Sequence, residues 1–342
     1  MKKTKVLLTG VSGFLGSHTA IQLLEKDYQV VGTLRDINRA ESIKEMIGKH
    51  TLKINNLSFV EANLNDQNAW KNLTQGMDYI QHIASPFPRE LPKNEDDLIL
   101  PAKNGTLNIL KAASVNGVKR VVITSSIAAI VYGKSKNHRN GVFDETHWTD
   151  ANNKKDNTPY FRSKTIAEKA AWDFIKSDNS GLELTTVCPG AMLGPILEKD
   201  FGTSASIVIK AMDGSMPALA DIGFDVVDVR SIADLLILAM ESPKAPNQRY
   251  IGTTGFMKFK EVAQVLKKEY PKRKIPSLML PNFVVRLFSN IDKSLKPVLV
   301  DLGVERKTAN SKARKELDWN PLSNNEAILA CAKSVIEMGI IK

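Results

Sequence analysis

The sequence predicts an α/β fold: a Rossmann-type doubly wound parallel sheet with a smaller mixed α/β lobe toward the C-terminus. Three observations carry this expectation. The apolar strand Val6-Leu7-Leu8 runs into a turn with Gly10, Gly13 and Gly16, and then into a helical pattern. Strand and helix character alternates from there to about residue 190. The β-branched run Val121-Val122-Ile123-Thr124 reads as a strand buried on both faces, as in a sheet covered by helices.

The totals bound the answer. The chain has 342 residues. At that size roughly three quarters of the unfolded surface can be buried without a covalent staple. Cys188 and Cys331 are the only cysteines and share no paired spacing, so two reduced core thiols are expected. No run of 18 apolar residues is present, so no membrane span is expected, and the expected location is the cytoplasm. The net charge is +10, yet most lysines alternate with acids as on solvated helix faces. The densest basic cluster, Lys267-Lys268 with Lys272-Arg273-Lys274, comes with no nucleic-acid-binding signature. Neither a nucleic-acid partner nor a metal is expected, and the chain is expected as a monomer or homodimer.

The first turn sets the site. Its spacing is G-x-x-G-x-x-G, placed between a strand and a helix. Free N–H groups and the positive helix end would meet a dinucleotide pyrophosphate there. Thr9, Gly10, Ser12, Gly13, Phe14, Leu15 and Gly16 are assigned to that contact. The next strand, Gln29–Leu34, ends in Arg35, with Arg39 four residues on. Arginine at this place suits a 2′-phosphate through charge-assisted contacts and favours NADP over NAD. Asp36 is the contrary feature, since a carboxylate could accept from a ribose hydroxyl. A helix over residues 40–50 and a third strand, Leu57–Ala62, lead to Asn63 and Leu64, where the adenine amine could be held. A fourth strand, Met77–Ala84, closes on Ser85-Pro86-Phe87-Pro88. Ile83, Ala84 and Ser85 are assigned to the cofactor and Phe87 to a substrate pocket. A long helix over 99–116 precedes the strand ending in Ser125-Ser126. Asn104 and Asn108 on it are expected in core or capping roles.

A polar, irregular stretch over 142–157 then leads to Thr158-Pro159, a cap and first-turn proline. The helix they start carries Tyr160 and Lys164 on one face. A lysine ammonium one turn away is expected to lower the phenol's pKa, so that Tyr160 exchanges a proton with an alcohol oxygen. Ser126 can hydrogen-bond the same oxygen, and Lys164 can also hold the nicotinamide ribose. A sixth strand, Leu184–Gly190, ends at Pro189-Gly190, both assigned to the cofactor. Further helices are expected at 205–212, 231–240, 259–270 and near 327–338, with strands at 224–229 and 249–252. Residues 1–189, with about 224–255, are expected to form the NADP-binding domain. About 190–223 and 256–342 are expected to form the substrate lobe.

Together, Thr9–Gly16, Thr124-Ser125-Ser126 and Tyr160-Phe161-Arg162-Ser163-Lys164 resemble the extended short-chain dehydrogenase/reductase superfamily. Thr33–Asp36, His82–Pro86, Asp144–Trp148 and Ser163–Trp172 are similar to its dihydroflavonol-4-reductase-like branch, which also holds microbial aldehyde and ketone reductases. The likeness runs from residue 4 to about 255. It implies NADPH-dependent reduction of a carbonyl, with Ser126, Tyr160 and Lys164 catalytic and Arg35 on the 2′-phosphate. Two departures matter. Where plant flavonoid reductases carry a substrate-contacting asparagine, this chain has Val131, which points to a more apolar aldehyde or ketone. The acid usual at the end of the third strand is Asn63. Competing readings are a sugar-nucleotide epimerase or dehydratase, a steroid-type dehydrogenase, and a non-catalytic nucleotide sensor or RNA-binding relative that would lack the Tyr or Lys.

Overall fold

The computed structural model describes residues 3–86, 94–198, 202–290 and 293–341. In chain order the strands and α-helices are β1 (Lys5–Thr9), α1 (Phe14–Glu25), β2 (Gln29–Leu34), α2 (Ala40–Gly48), β3 (Leu57–Glu61), α3 (Gln67–Leu73), β4 (Tyr79–His82), α4 (Asp96–Val115), β5 (Arg120–Thr124), β6 (Gly141–Phe143), α5 (Pro159–Ser177) and β7 (Glu183–Pro189). There follow β8 (Ala191–Leu193), α6 (Ser206–Met212), β9 (Gly223–Asp228), α7 (Val229–Glu241), β10 (Gln248–Gly252), β11 (Gly255–Lys258), α8 (Phe259–Glu269), α9 (Asn282–Phe288), β12 (Arg306–Thr308), α10 (Ser311–Leu317) and α11 (Asn324–Glu337).

Seven strands form the main sheet in the order β10-β7-β5-β4-β1-β2-β3, every pairing parallel. The winding reverses between β1 and β4, the crevice where ligands bind in doubly wound sheets. The period-2 alternation of each strand feeds two cores. Val6, Leu8, Val30, Val122 and Val187 face one way, onto Leu23 and Leu24 of α1, Ile43 and Ile47 of α2, and Leu235 and Leu236 of α7. Leu7, Ile80, Val121, Ile123 and Leu184 face the other way, onto Trp70, Ile109, Leu110 and Ala171 of α3, α4 and α5. A third core lies under the small sheet β11-β9-β8, against Val208, Val262, Leu266, Ile328 and Cys331.

That small sheet corrects one expectation. The strand near 224–229 was grouped with the nucleotide-binding part, but β9 pairs with β8 and β11, not with the main sheet. α7 and β10 do return to the main sheet. A second short pairing, β12 with β6, ties the C-terminal tail to the stretch before α5. Buried Arg120 joins sheet to helix. Its guanidinium donates to the carbonyls of Ala239, Met240 and Ser242 at 2.8–2.9 Å, which satisfies the C-terminal end of α7.

The glycine turn shows why the site forms where it does. Gly10 has φ +72°, the left-handed region that glycine enters without cost. A Cβ on Gly16 would lie 2.0 Å from the Gly10 carbonyl oxygen, so α1 rests on the end of β1 with no side chain between them. Gly16→Ala is therefore expected to destabilise the chain by about 1–3 kcal/mol through overpacking. Urea unfolding of the variant checks this, and an unchanged midpoint would show that α1 can lift off β1 freely.

Candidate active site

Residues singled out in the sequence line one edge of the main sheet, outside the C-terminal ends of its strands. Gly10 follows β1, Arg35 follows β2, Asn63 lies just past β3, and Ile83–Ser85 follow β4. Ser126 lies just past β5, and Pro189-Gly190 close β7.

At the switch point β1 and β4 are pinned by Thr9. Its hydroxyl oxygen accepts from the backbone N–H groups of Ile83 and Ala84 at 3.1 and 3.0 Å. It lies 2.9 Å from His82 Nδ1, so its own proton goes to that nitrogen. His82 is then the neutral tautomer with its proton on Nε2. Burial, and after it the Lys164 charge, pull its pKa down to about 3, which agrees. Thr9 thus acts on the turn through its side chain's grip on β4. A Cβ on Gly10 would lie 3.1 Å from the Ala84 backbone, so the two strand ends touch here.

α1 begins after Gly13, and no side chain caps it. Gly13 is exposed and Ser12 and Phe14 are half-buried, while Leu15 and Gly16 pack inward. The turn is thus a cradle of glycine and backbone N–H groups of the kind a pyrophosphate fits. Arg35 is exposed and makes no hydrogen bond or ion pair among the described residues. The Asp36 carboxylate is turned to its own backbone and accepts from the Asn38 N–H at 3.0 Å. One oxygen of the acid read in the sequence as a contrary feature is thus engaged locally. Arg39 is engaged differently, in an ion pair with Glu198 at 3.0 Å. Asn63 Oδ1 accepts from the Asn65 N–H at 3.0 Å, leaving its amide group as the outward donor. The Leu64 carbonyl accepts from Asn108 Nδ2 at 3.0 Å, so Asn108 braces this turn, while Asn104 is exposed.

Across the cleft stands α5. Thr158 caps it, its hydroxyl accepting from the Phe161 N–H at 3.3 Å, with Pro159 in the first turn. The Ser126 hydroxyl lies near the Tyr160 phenol and favours its ionised form. Ser126 also accepts from the Ala128 N–H at 3.1 Å, which fixes its rotamer. Ser125, by contrast, points inward and donates to Glu168 at 2.5 Å. Burial pushes the Tyr160 phenol up, and Ser126 opposes that. This differs from the expected lowering by Lys164: desolvation outweighs it. Lys164 is itself buried, which brings its pKa down to about 8 against the attraction of Glu168. At neutral pH the pair is therefore a protonated phenol beside an ammonium, the state a proton donor needs.

Val131 lies in the core with Ile130, Phe143, Cys188 and Ile251. Phe87 lies outside the described residues. Sequence reasoning missed several residues around the site. Glu168 continues the face of Tyr160 and Lys164 by another four residues, so its spacing was a usable signal. Arg249 and Arg306 had none, because isolated buried arginines carry no periodicity. The Arg306 guanidinium donates to both Asp156 oxygens at 2.5 and 3.1 Å and to the Val131 carbonyl at 3.0 Å. It lies over the ring of Tyr132, which stacks on Phe161 at 3.8 Å, next to Tyr160.

The model of the NAD dependent epimerase/dehydratase family matches residues 6–251. Cinnamoyl-CoA reductase of Medicago truncatula is 34% identical over 273 residues, covering 79% of this chain and 82% of the relative. Dihydroflavonol 4-reductase of Gerbera hybrida is 30% identical over 314 residues, 88% of this chain and 81% of the relative. Among solved structures, the yeast methylglyoxal/isovaleraldehyde reductase complexed with NADPH superposes with a TM-score of 0.81 at 25% identity, covering 98% of both chains.

The Thr9 hydroxyl offers a direct check on the switch point. Thr9→Val leaves two part-buried N–H groups without acceptors and is expected to cost about 1–3 kcal/mol, read by chemical denaturation. An unaltered stability would mean that β1 and β4 are held together by packing alone.

Proposed function

The chain belongs to the NAD dependent epimerase/dehydratase family, within the extended short-chain dehydrogenases/reductases, and on that premise we propose that it is an NADPH-dependent reductase of small, largely apolar aldehydes and ketones. The observation that carries this is the placing of the Tyr160 phenol beside Ser126, with Lys164 one helical turn further along α5 and the uncapped start of α1 across the cleft. A bound NADPH would supply the hydride. The residues of this chain do the rest. Ser126 donates to the carbonyl oxygen and orients it as charge develops there. Tyr160 delivers its phenolic proton to the same oxygen. The Lys164 ammonium stabilises the phenolate left behind and can hold the nicotinamide ribose. Gly10, Gly13 and the first N–H groups of α1 fit a pyrophosphate, and Arg35 is placed to meet a 2′-phosphate.

The preference for NADPH rests on Arg35 and on the engaged Asp36 carboxylate. The relatives named cinnamoyl-CoA reductase, dihydroflavonol 4-reductase and methylglyoxal/isovaleraldehyde reductase support carbonyl reduction over sugar-nucleotide epimerisation. Ile127, the part-exposed residue of this run next to Ser126, offers only an apolar surface, which supports an apolar substrate over a polyhydroxylated one; Ala128–Val131 lie in the core.

A panel of aldehydes and ketones run with NADPH and NADH tests the reading. Turnover is expected with NADPH first, and inactivity across the panel would refute it. Tyr160→Phe should lower kcat by about 100-fold or more. Arg35→Ala should raise KM for NADPH about tenfold while leaving NADH unchanged. The ammonium of Lys164 is present below its pKa and lost above it. The rate of reduction should therefore fall as the pH rises through about 8.

A further inference from the structure

Arg35 and Arg39 flank a single tight turn after β2. The Asp36 carboxylate caps that turn, and the Arg39 N–H donates to the Asp36 carbonyl at 3.2 Å, so the chain folds back and Arg39 stands one turn from Arg35 at the head of α2. Unlike Arg35, Arg39 already holds a carboxylate. Both oxygens of Glu198 lie on one of its nitrogens, Nη2, at 3.1 and 3.0 Å. A guanidinium makes two parallel bonds to an oxyanion through one of two edges, Nε with Nη2 or Nη1 with Nη2. Nη2 belongs to both edges. Arg39 can therefore grip a phosphate in the forked manner only by giving up a bond to Glu198.

Glu198 reaches Arg39 from an anchored backbone. The Pro195 carbonyl accepts from His18 Nε2 of α1 at 2.9 Å, and the Ile196 N–H donates to Ser334 Oγ of α11 at 2.9 Å. Leu197 packs against the core that α1 and α2 share. The ion pair itself is weak. Its side chains are 39% and 26% exposed, and pairs so open to water contribute little. A phosphate monoester carries about two negative charges near neutrality, against one on the carboxylate, so it draws Arg39 more strongly.

We propose that Glu198 is a specificity-determining residue for the cofactor: its carboxylate competes with the 2′-phosphate of NADPH for Arg39. NADH presents a neutral hydroxyl at that position and leaves the Arg39–Glu198 pair in place. Glu198 thus lowers the affinity for NADPH without acting on NADH, and a residue beyond β8 tunes the ratio of the two. Among the described residues Asp36, the other acid of this rim, pairs with neither arginine. The inference rests on the cofactor site proposed above.

The probes are adenosine 2′,5′-bisphosphate and adenosine 5′-diphosphate, with NADPH and NADH beside them. Their Kd values are measured by titration calorimetry on wild type, E198Q, R39M and R39M/E198Q. E198Q is expected to tighten the two ligands that carry a 2′-phosphate about threefold, the scale of a part-exposed ion pair, and to leave the other two unchanged. R39M is expected to weaken the same two ligands, and adding E198Q to R39M should change little more. A merely structural role would act the other way, since a loosened rim would weaken every ligand. E198A gives the same readout should E198Q misfold. A folded variant at 198 that binds adenosine 2′,5′-bisphosphate no more tightly than wild type overturns the proposal. If wild type shows no preference for the 2′-phosphate and E198Q acquires one, the competition stands and the NADPH preference read from Arg35 falls.

Discussion

The site depends on one close approach: α1 lies on the end of β1 so tightly that Gly16 has room for no side chain beside the Gly10 carbonyl. This contact aims the helix start into the crevice between β1 and β4. Thr9 and Gly10 complete it from the other side. The first ties the strand ends by three hydrogen bonds, and the second lets the Ala84 backbone come close. Apart from Thr9, the turn contributes mostly room and backbone, which suits a ligand that is itself rigid and anionic.

The opposite wall works by another rule. α5 is a ruler with marks at 160, 164 and 168, and its graded burial sorts three polar groups by depth. Tyr160 is half-buried at the cleft, Lys164 is covered, and Glu168 is locked among sheet residues. Each step inward lowers the local polarity, and each charge there has an opposite charge or several donors nearby. Desolvation raises the phenol and lowers the lysine, yet near neutrality the phenol still keeps its proton and the lysine its charge.

Much of this was legible in the chain. The β1–turn–α1 unit, the strand-end Arg35, the Ser125-Ser126 terminus and the Thr158-Pro159 helix start are local patterns, set by neighbours within a turn or two. The small sheet was not legible in the same way. The residues of β9 read as any buried strand does, and only its long-range partners β8 and β11 decide which sheet it joins. β6 and β12 are three residues each, below the length at which alternation can be seen. The direction of the Tyr160 shift was missed because spacing reveals a charged neighbour but not how much water the fold removes.

The return of β12 to β6 gives the molecule an awkward seam. Arg306 sits 150 residues beyond Asp156, yet it grips the stretch that launches the catalytic helix and lies over the ring that stacks beside Tyr160. The lobe built largely from the second half of the chain is therefore not a detachable cap. A graft that exchanged everything after β7 for the equivalent part of a relative would also exchange this grip on the catalytic helix. The second half of the chain and the start of α5 are mechanically linked in this architecture, and a recombination junction that kept them apart would have to leave 306–308 with the recipient.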